Sequence, residues 1–307
     1  MTLQLVLFSS FASGINFLDI MLRQGLLERG LKPPFTMGSE CCGIVRSIGE
    51  DITEYKVNDR VVIVTEHNAW AEVFYAPVMK PVQHAEGKVD SEENVRTMIL
   101  PWPEKLSASQ ASIMPYAYLP AYFLVHHVAC IKSANVVLVH SAGGGVGSAI
   151  LQLVKTLHDV KVIGIASEIK HEKVKSLCEH LFKPDQDYCA EIKKLYPNGV
   201  DIILDCLGGE DTNKMYPLLK PLGTYVLYGN SSLVTGERKN LISVAKNENR
   251  IIAGFCLNSL VFDRANTNSF SEHMVRQAWT GLLKQIDEGS IDPWVDTEWG
   301  FEQASGG

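Results

Sequence analysis

The stretch with the clearest chemistry is Ser141-Ala142-Gly143-Gly144-Gly145-Val146-Gly147. It follows the apolar run Val136-Val137-Leu138-Val139-His140 and precedes an amphipathic run from Ser148 to Leu157. Glycines at this spacing let the backbone turn tightly and approach a pyrophosphate. The helix that follows offers free N–H groups and the positive end of its dipole to that anion. A glycine-rich stretch alone is weak evidence. A buried strand before it and a helix after it are what a dinucleotide-binding fingerprint requires. Ala142, Gly143, Gly144, Gly145, Val146 and Gly147 are therefore candidate cofactor-binding residues.

The end of the next strand separates NAD from NADP. An NAD site places Asp or Glu about 20 residues further on, against the ribose 2′-OH. Ser167 stands at that position here, with Lys170 following. A hydroxyl and an ammonium suit a 2′-phosphate, which a carboxylate would repel. The adjacent Glu168 works against this reading, but the expected cofactor is NADPH. Two turns, Asp205-Cys206-Leu207-Gly208-Gly209 and Tyr228-Gly229-Asn230-Ser231-Ser232, also close apolar runs. Ligands collect at such carboxyl ends of parallel strands. Gly229 permits close approach of a cofactor, and Asn230 and Ser231 offer hydrogen bonds.

Other chemistries find no support. The nine His and seven Cys fall in no zinc-ligand spacing. His67 and the pair His126-His127 read as satisfied or exposed histidines. No Gly-x-Ser-x-Gly elbow marks a hydrolase. Adjacent Cys41-Cys42 make an awkward disulfide, and an odd number of thiols reads as reduced and cytoplasmic. A net charge of −7 gives no broad positive field for nucleic acid. No apolar run reaches the roughly 20 residues of a membrane span, so any membrane association is expected to be peripheral.

The elements that must position these residues fall into two kinds. A chain of 307 residues fits two packed domains. Residues 1–80 read as short strands with one helix from Asn16 to about Gly25. The strands are expected at Leu3–Phe8, Cys42–Gly49, Asp59–Val64 and Ala69–Phe74. Residues 83–100 read as a polar surface insertion. From Ser107, which begins a capping box with Gln110, strands alternate with helices. Strands are expected at Ala134–His140, Val160–Ala166, Val200–Asp205 and Gly223–Gly229, and a further apolar run spans Ile251–Phe255. Helices are expected at Lys170–His180, Asp211–Leu219 and Ser271–Glu288. This alternation means a parallel sheet built by right-handed crossovers. The fold class is α/β, a Rossmann doubly wound parallel sheet beside a β-rich domain.

Three further stretches carry a resemblance. They are Ala12-Ser13-Gly14-Ile15-Asn16-Phe17-Leu18-Asp19, Gly38-Ser39-Glu40-Cys41-Cys42-Gly43-Ile44-Val45 and Val57-Asn58-Asp59-Arg60-Val61. With the glycine loop they resemble the medium-chain dehydrogenase/reductase superfamily, quinone oxidoreductase branch. The resemblance implies a GroES-like catalytic domain at 1–114, a Rossmann domain at 115–254 and a return to the catalytic domain at 255–307. Zinc-dependent members carry Cys at Asn16 and His at Ser39, so the resemblance implies catalysis without zinc. NADPH would deliver hydride to a quinone or enone, with Asn16 as the catalytic residue. Ser167, Lys170 and Phe255 would serve the cofactor, and the protein would be a homodimer. The alternative is a nucleotide-binding vesicle- or membrane-associated protein with little activity.

The chain also departs from the family. Leu26-Leu27 stands where reductases often have Tyr, Pro120-Ala121-Tyr122 where they have Thr-Ala-Tyr, and Asn58 where they have Gly. Strands before residue 1, a helix and strand after Gln303, and a stretch between Lys246 and Asn247 are expected by the family and missing. This implies a truncated chain whose GroES-like half opens first.

Overall fold

Short runs rich in β-branched residues fold as an antiparallel sheet in the first third of the chain. The computed structural model describes residues 5–26, 32–50, 52–77, 97–229, 231, 249–262 and 269–303. The sheet contains β1 (Leu5–Ser13), β2 (Glu40–Ile48), β3 (Arg60–Thr65), β4 (Val73–Pro77) and β5 (Thr97–Pro101), in the order β4-β1-β2-β3-β5. Two register shifts in β1, between Leu7/Phe8 and Ser10/Ala12, bend it against β2. Helix α1 (Phe17–Arg23) leaves the end of β1 after three residues. Asn58, at the family's glycine position, has φ 74°. Asn tolerates that left-handed conformation better than most side chains.

Two expectations for this half need correction. The strand expected at Ala69–Phe74 begins only at Val73. Ala69 and Trp70 instead donate their backbone N–H groups to Gly38 and Met37, which ties them to a loop rather than a ladder. The insertion expected over 83–100 does not extend to residue 100. Thr97–Leu100 are buried in β5 and pair with β3. A run buried on both faces shows no alternation to read. Residues 83–96 lie outside the described residues.

Among the described residues the second sheet is parallel and has six strands. They are β6 (Val136–His140), β7 (Lys161–Ile165), β8 (His180–Phe182), β9 (Val200–Asp205), β10 (Leu219–Leu227) and β11 (Ile251–Gly254). Their order is β11-β10-β9-β6-β7-β8. The chain runs outward from β6 through β7 to β8, then returns to β6's other side with β9. The order therefore reverses between β6 and β9, and a crevice forms at the carboxyl ends of strands at such a point. Crossovers include α4 (Gly145–Lys155), α5 (Glu168–Val174), α6 (Tyr188–Leu195) and α7 (Gly209–Met215), numbered after α2 and α3 below. The helix expected at Lys170–His180 starts at Glu168 and ends at Val174. A single 3-10 turn, Lys175–Leu177, then leads into β8. A three-residue edge strand is too short to show a period, and β8 and α6 are both absent from the sequence reading.

Helices α2 (Ala108–Ser112) and α3 (Met114–Phe123) join the two sheets. The capping box holds, with Ser107 Oγ accepting from Gln110 N–H and Gln110 Oε1 accepting from Ser107 N–H, each at 3.2 Å. In α3 only Tyr122 escapes full burial, as expected of a helix apolar on all sides. After α8 (Leu257–Val261), the long helix α9 (Ser269–Asp287) packs on α3. Trp279 of α9 is 1% exposed and donates its indole N–H to Pro101 O at 2.9 Å. One apolar core thus runs from Val62, Val64 and Leu100 through α3 to Val137, Val139 and Leu204. Smaller cores cover the far face of each sheet.

Candidate functional site

The glycine loop lies at the reversal point of the parallel sheet. Ser141 follows β6 with φ 57° and Gly145 opens α4. The first N–H groups of a helix have no intrahelical partner, so Gly145, Val146 and Gly147 present donors at this end. A Cβ on Gly147 would collide with the Ser141 carbonyl, and one on Gly143 would lie 2.6 Å from Lys170 Cβ. At Gly145 the nearest atom to such a Cβ is Ala117 Cβ at 3.8 Å. The loop is thus packed tightly on its inner side and open at the helix start, which fits a pyrophosphate. Gly229 closes the crevice across the sheet. A Cβ there would strike the Cys206 carbonyl, to which Ser231 N–H donates at 3.5 Å. Asn230 lies outside the described residues. Ala142 is buried behind the loop, and Phe255 stacks on Phe123 at 5.8 Å between ring centroids.

Ser167 and Lys170 stand at the end of β7 as the spacing expects, but Lys170 has a partner the sequence did not indicate. Ser167 is the exposed N-cap of α5. Lys170 Nζ and Lys173 Nζ each lie 2.6 Å from a carboxylate oxygen of Asp296. Hydrogen bonds from both lysines hold the Asp296 carboxyl down to about 2. Asp296 arrives on an extended strap. Asp292 anchors that strap through Gln110, Tyr118 and both polar ends of the Gln152 amide.

A second buried network closes the carboxyl ends of β6 and β9. Asp205 Oδ1 accepts from His140 Nδ1 at 3.0 Å and from the Leu207 and Gly208 N–H groups at 2.9 and 3.2 Å. Its Oδ2 accepts from Thr212 Oγ1 and the Tyr225 hydroxyl, both at 2.8 Å. Burial pushes the Asp205 carboxyl up, but the bonds from His140, Thr212 and Tyr225 outweigh it and hold it low. A carboxylate with this many donors fixes the turn after β9. Sequence reasoning passed over it, although His140 and Asp205 both end apolar strands.

A second polar cluster forms around Asn16. Asn16 N–H donates to Asp19 Oδ2 at 2.8 Å, which secures the start of α1. Asn16 Nδ2 donates to Glu40 Oε1 at 2.6 Å, and Tyr116 N–H donates to Glu40 Oε2 at 2.8 Å. Glu40 is 1% exposed, and burial raises its carboxyl to about 8. A Cβ on Gly14 would collide with the Glu40 carboxyl, so the Glu40 side chain would have to shift. The Tyr116 hydroxyl reaches Asn258 Oδ1 at 2.6 Å, so α8 also borders the cluster. Sequence reasoning singled out Asn16 and passed over Glu40, Tyr116 and Asn258, which the fold brings around it. The available signal was an acid directly before the apolar run Cys41-Cys42-Gly43-Ile44-Val45.

These residues do not fit a zinc ion. Asn16 and Ser39 offer an amide and a hydroxyl in place of a thiolate and an imidazole. Ser39 Oγ is buried and turned to Asp19 Oδ1 at 3.5 Å. The neighbouring thiols resist ionisation, since burial pushes Cys42 up to about 12. Among the described residues no group of three or more His, Cys, Asp or Glu side chains is placed to hold a metal.

Comparison with known proteins gives two family matches. Residues 145–277 match the family described as zinc-binding dehydrogenase, and residues 4–81 match the alcohol dehydrogenase GroES-like domain. The human synaptic vesicle membrane protein VAT-1 homolog-like is 39% identical over 306 residues, covering 95% of this chain and 68% of that protein. A crystal structure of the human VAT-1 homolog-like protein superposes with a TM-score of 0.80 at 36% identity, over 98% of this chain and 82% of that one. A Pseudomonas syringae quinone oxidoreductase shares the fold with a TM-score of 0.79 at 24% identity, over 99% and 86% of the two chains. A mycobacterial protein solved in complex with NADPH shares it with a TM-score of 0.79 at 23% identity, over 98% and 85%.

Proposed function

On the premise that the chain belongs to the medium-chain dehydrogenase/reductase superfamily, among its VAT-1-like members, we propose a zinc-independent, NADPH-dependent oxidoreductase acting on a quinone or enone. The carrying observation is the pairing of two sites. An open glycine loop at the sheet's reversal point accompanies a catalytic-side cluster in which Asn16 replaces a metal ligand.

In this reading Gly143 to Gly147 hold the pyrophosphate, with Ala142 behind them. Gly229, Asn230, Ser231 and Phe255 border the nicotinamide half. Ser167 and Lys170 take the 2′-phosphate, for which Lys170 must share or leave Asp296. Bound NADPH supplies the hydride, as cofactor chemistry. Asn16 orients the substrate carbonyl, whose oxygen gains negative charge and needs a donor. Ile15 and Phe17 flank Asn16 and are 48% and 46% exposed, which suits an apolar, planar substrate.

The division into 1–114, 115–254 and 255–307, the homodimer and the cytoplasmic location belong to the same proposal. Among the described residues no helix is long and apolar enough to cross a membrane. Peripheral association with vesicle membranes follows the relatives' printed name. The test combines NADPH and NADH consumption over a panel of quinones and enones with metal analysis of the purified protein. The expected result is turnover with NADPH preferred and no stoichiometric zinc. Turnover only with NADH, or about one zinc per chain, overturns the assignment.

A further inference from the structure

Glu40 is a buried acid that the proposed reaction does not use, and it holds the one residue the reaction needs. Its two oxygens are divided between Asn16 Nδ2 and the N–H of Tyr116 in the first turn of α3. An Asn amide has a donor end and an acceptor end. The end bonded to Glu40 decides which end is left for a ligand. A carboxylate takes the N–H₂ end. A neutral carboxyl has a proton to give, and the amide oxygen is its acceptor.

We propose that Glu40 is a positioning residue whose protonated form makes Asn16 competent for carbonyl reduction. With Glu40 ionised, the Asn16 N–H₂ group is anchored on the acid and its oxygen is turned to the start of α1. A negative charge then also sits one side chain from the carbonyl oxygen that gains charge. With Glu40 neutral, the amide reverses, its oxygen leaves the start of α1 to accept from the Glu40 hydroxyl, and its N–H₂ group is released from the acid to donate to that carbonyl. Both effects act in the same direction. The proton stays on Glu40 and does not enter the product. This inference rests on the reductase reading only for its consequence; the Glu40–Asn16 coupling belongs to the cluster itself.

The groups facing Glu40 come from each neighbouring element. They are the Asp19 carboxylate on α1, the Ser39 hydroxyl and the Cys41 and Cys42 thiols along β2, and the backbone of Tyr116 on α3. Burial and the Asp19 charge favour the neutral acid, while the Asn16 and Tyr116 bonds oppose them. The cluster is therefore balanced between two states within reach of ordinary pH.

The experiment follows the Asn16 side-chain amide and the Glu40 carboxyl by NMR in the full chain, from about pH 6 to about pH 10. Quinone reduction with NADPH is measured over the same range, for the native protein and Glu40→Gln. The Asn16 resonances should shift with the same midpoint as Glu40. Activity should fall about tenfold per pH unit above it, and Glu40→Gln should flatten that fall. Asn16 resonances that stay fixed while Glu40 titrates overturn the inference. So does a Glu40→Gln enzyme that keeps the alkaline fall. If Glu40→Gln does not fold, the native NMR titration decides. Asn16 tracking Glu40 in a protein that turns over nothing would support the coupling and overturn the reductase reading.

Discussion

In the proposed function cofactor choice turns on Lys170, whose ammonium is shared with Asp296. Its stem packs against Gly143 and its ammonium lies on Asp296. Asp296 is 59% exposed, so the pair is screened and worth under about 1 kcal/mol. Lys170→Ala should weaken NADPH about tenfold, the loss of one charge-assisted contact of about 1.5 kcal/mol, and barely change NADH. Asp296→Asn should tighten NADPH by up to about fivefold, the worth of one exposed ion pair. Fluorescence titration of both nucleotides on each variant checks this; equal losses for NADPH and NADH in Lys170→Ala would rule out a 2′-phosphate contact. Glu40 sets a second residue-scale expectation. Its carboxyl is raised from 4.5 to about 8 in the folded protein. Below about pH 4.5 folded and unfolded chains both hold the proton, and the stabilising contribution is complete. As pH rises from 4.5 to about 8 the unfolded chain ionises first, so stability falls, and above about 8 the contribution is gone. Urea unfolding across that window should show a decline of a few kcal/mol, and Glu40→Gln should remove most of it.

At the scale of elements, the β6-loop-α4 unit shows why glycine spacing is a geometric demand. Ser141 and Gly147 meet at the base of the loop, where a Cβ on Gly147 strikes the Ser141 carbonyl. Gly147→Ala must push the loop away from the start of α4. Overpacking of this kind costs about 1–3 kcal/mol, and the displaced N–H groups no longer converge on a phosphate. Nucleotide binding should fall below detection by titration while circular dichroism keeps the native pattern. A variant that binds NADPH normally would separate the loop from the cofactor. The neighbouring β9 turn depends on the Asp205 network rather than on glycine spacing alone. Its donors come from β6, α7 and β10, so three elements must be placed before the turn is fixed.

For the whole molecule, the decisive feature is that the two sheets share one core through α3 and α9. Trp279 is fully buried in that core and bonded to β5. Trp279→Ala should cost about 3–5 kcal/mol, a large part of the stability of an ordinary domain. Because the cavity opens where the two halves meet, both should lose stability together. Thermal unfolding followed by near- and far-ultraviolet circular dichroism should stay coincident and shift down. Two separated transitions would mean that the halves unfold independently. The Asp292–Asp296 strap crosses the same junction and brings a carboxylate to the nucleotide crevice from the far end of the chain.

The amino-acid sequence determined what depends on neighbours along the chain. Strands Val136–His140 and Val200–Asp205, the glycine loop, the Ser107 capping box and the position of Ser167 and Lys170 all follow from local period and spacing. Asn16 was singled out only by the family resemblance of the stretch Ala12–Asp19. Tertiary structure alone decided which distant groups meet. Glu40 becomes an acid raised to about 8 only because β2 and α3 bury it together. Lys170 finds Asp296 across 126 positions only because Gln110, Tyr118 and Gln152 anchor the strap at Asp292. Strand β5 and edge strand β8 were illegible for a related reason: a short run buried on both faces, or held at an edge by one neighbour, carries no period of its own. Local conformational preference is written residue by residue, whereas burial and charge pairing exist only once separate elements share a surface.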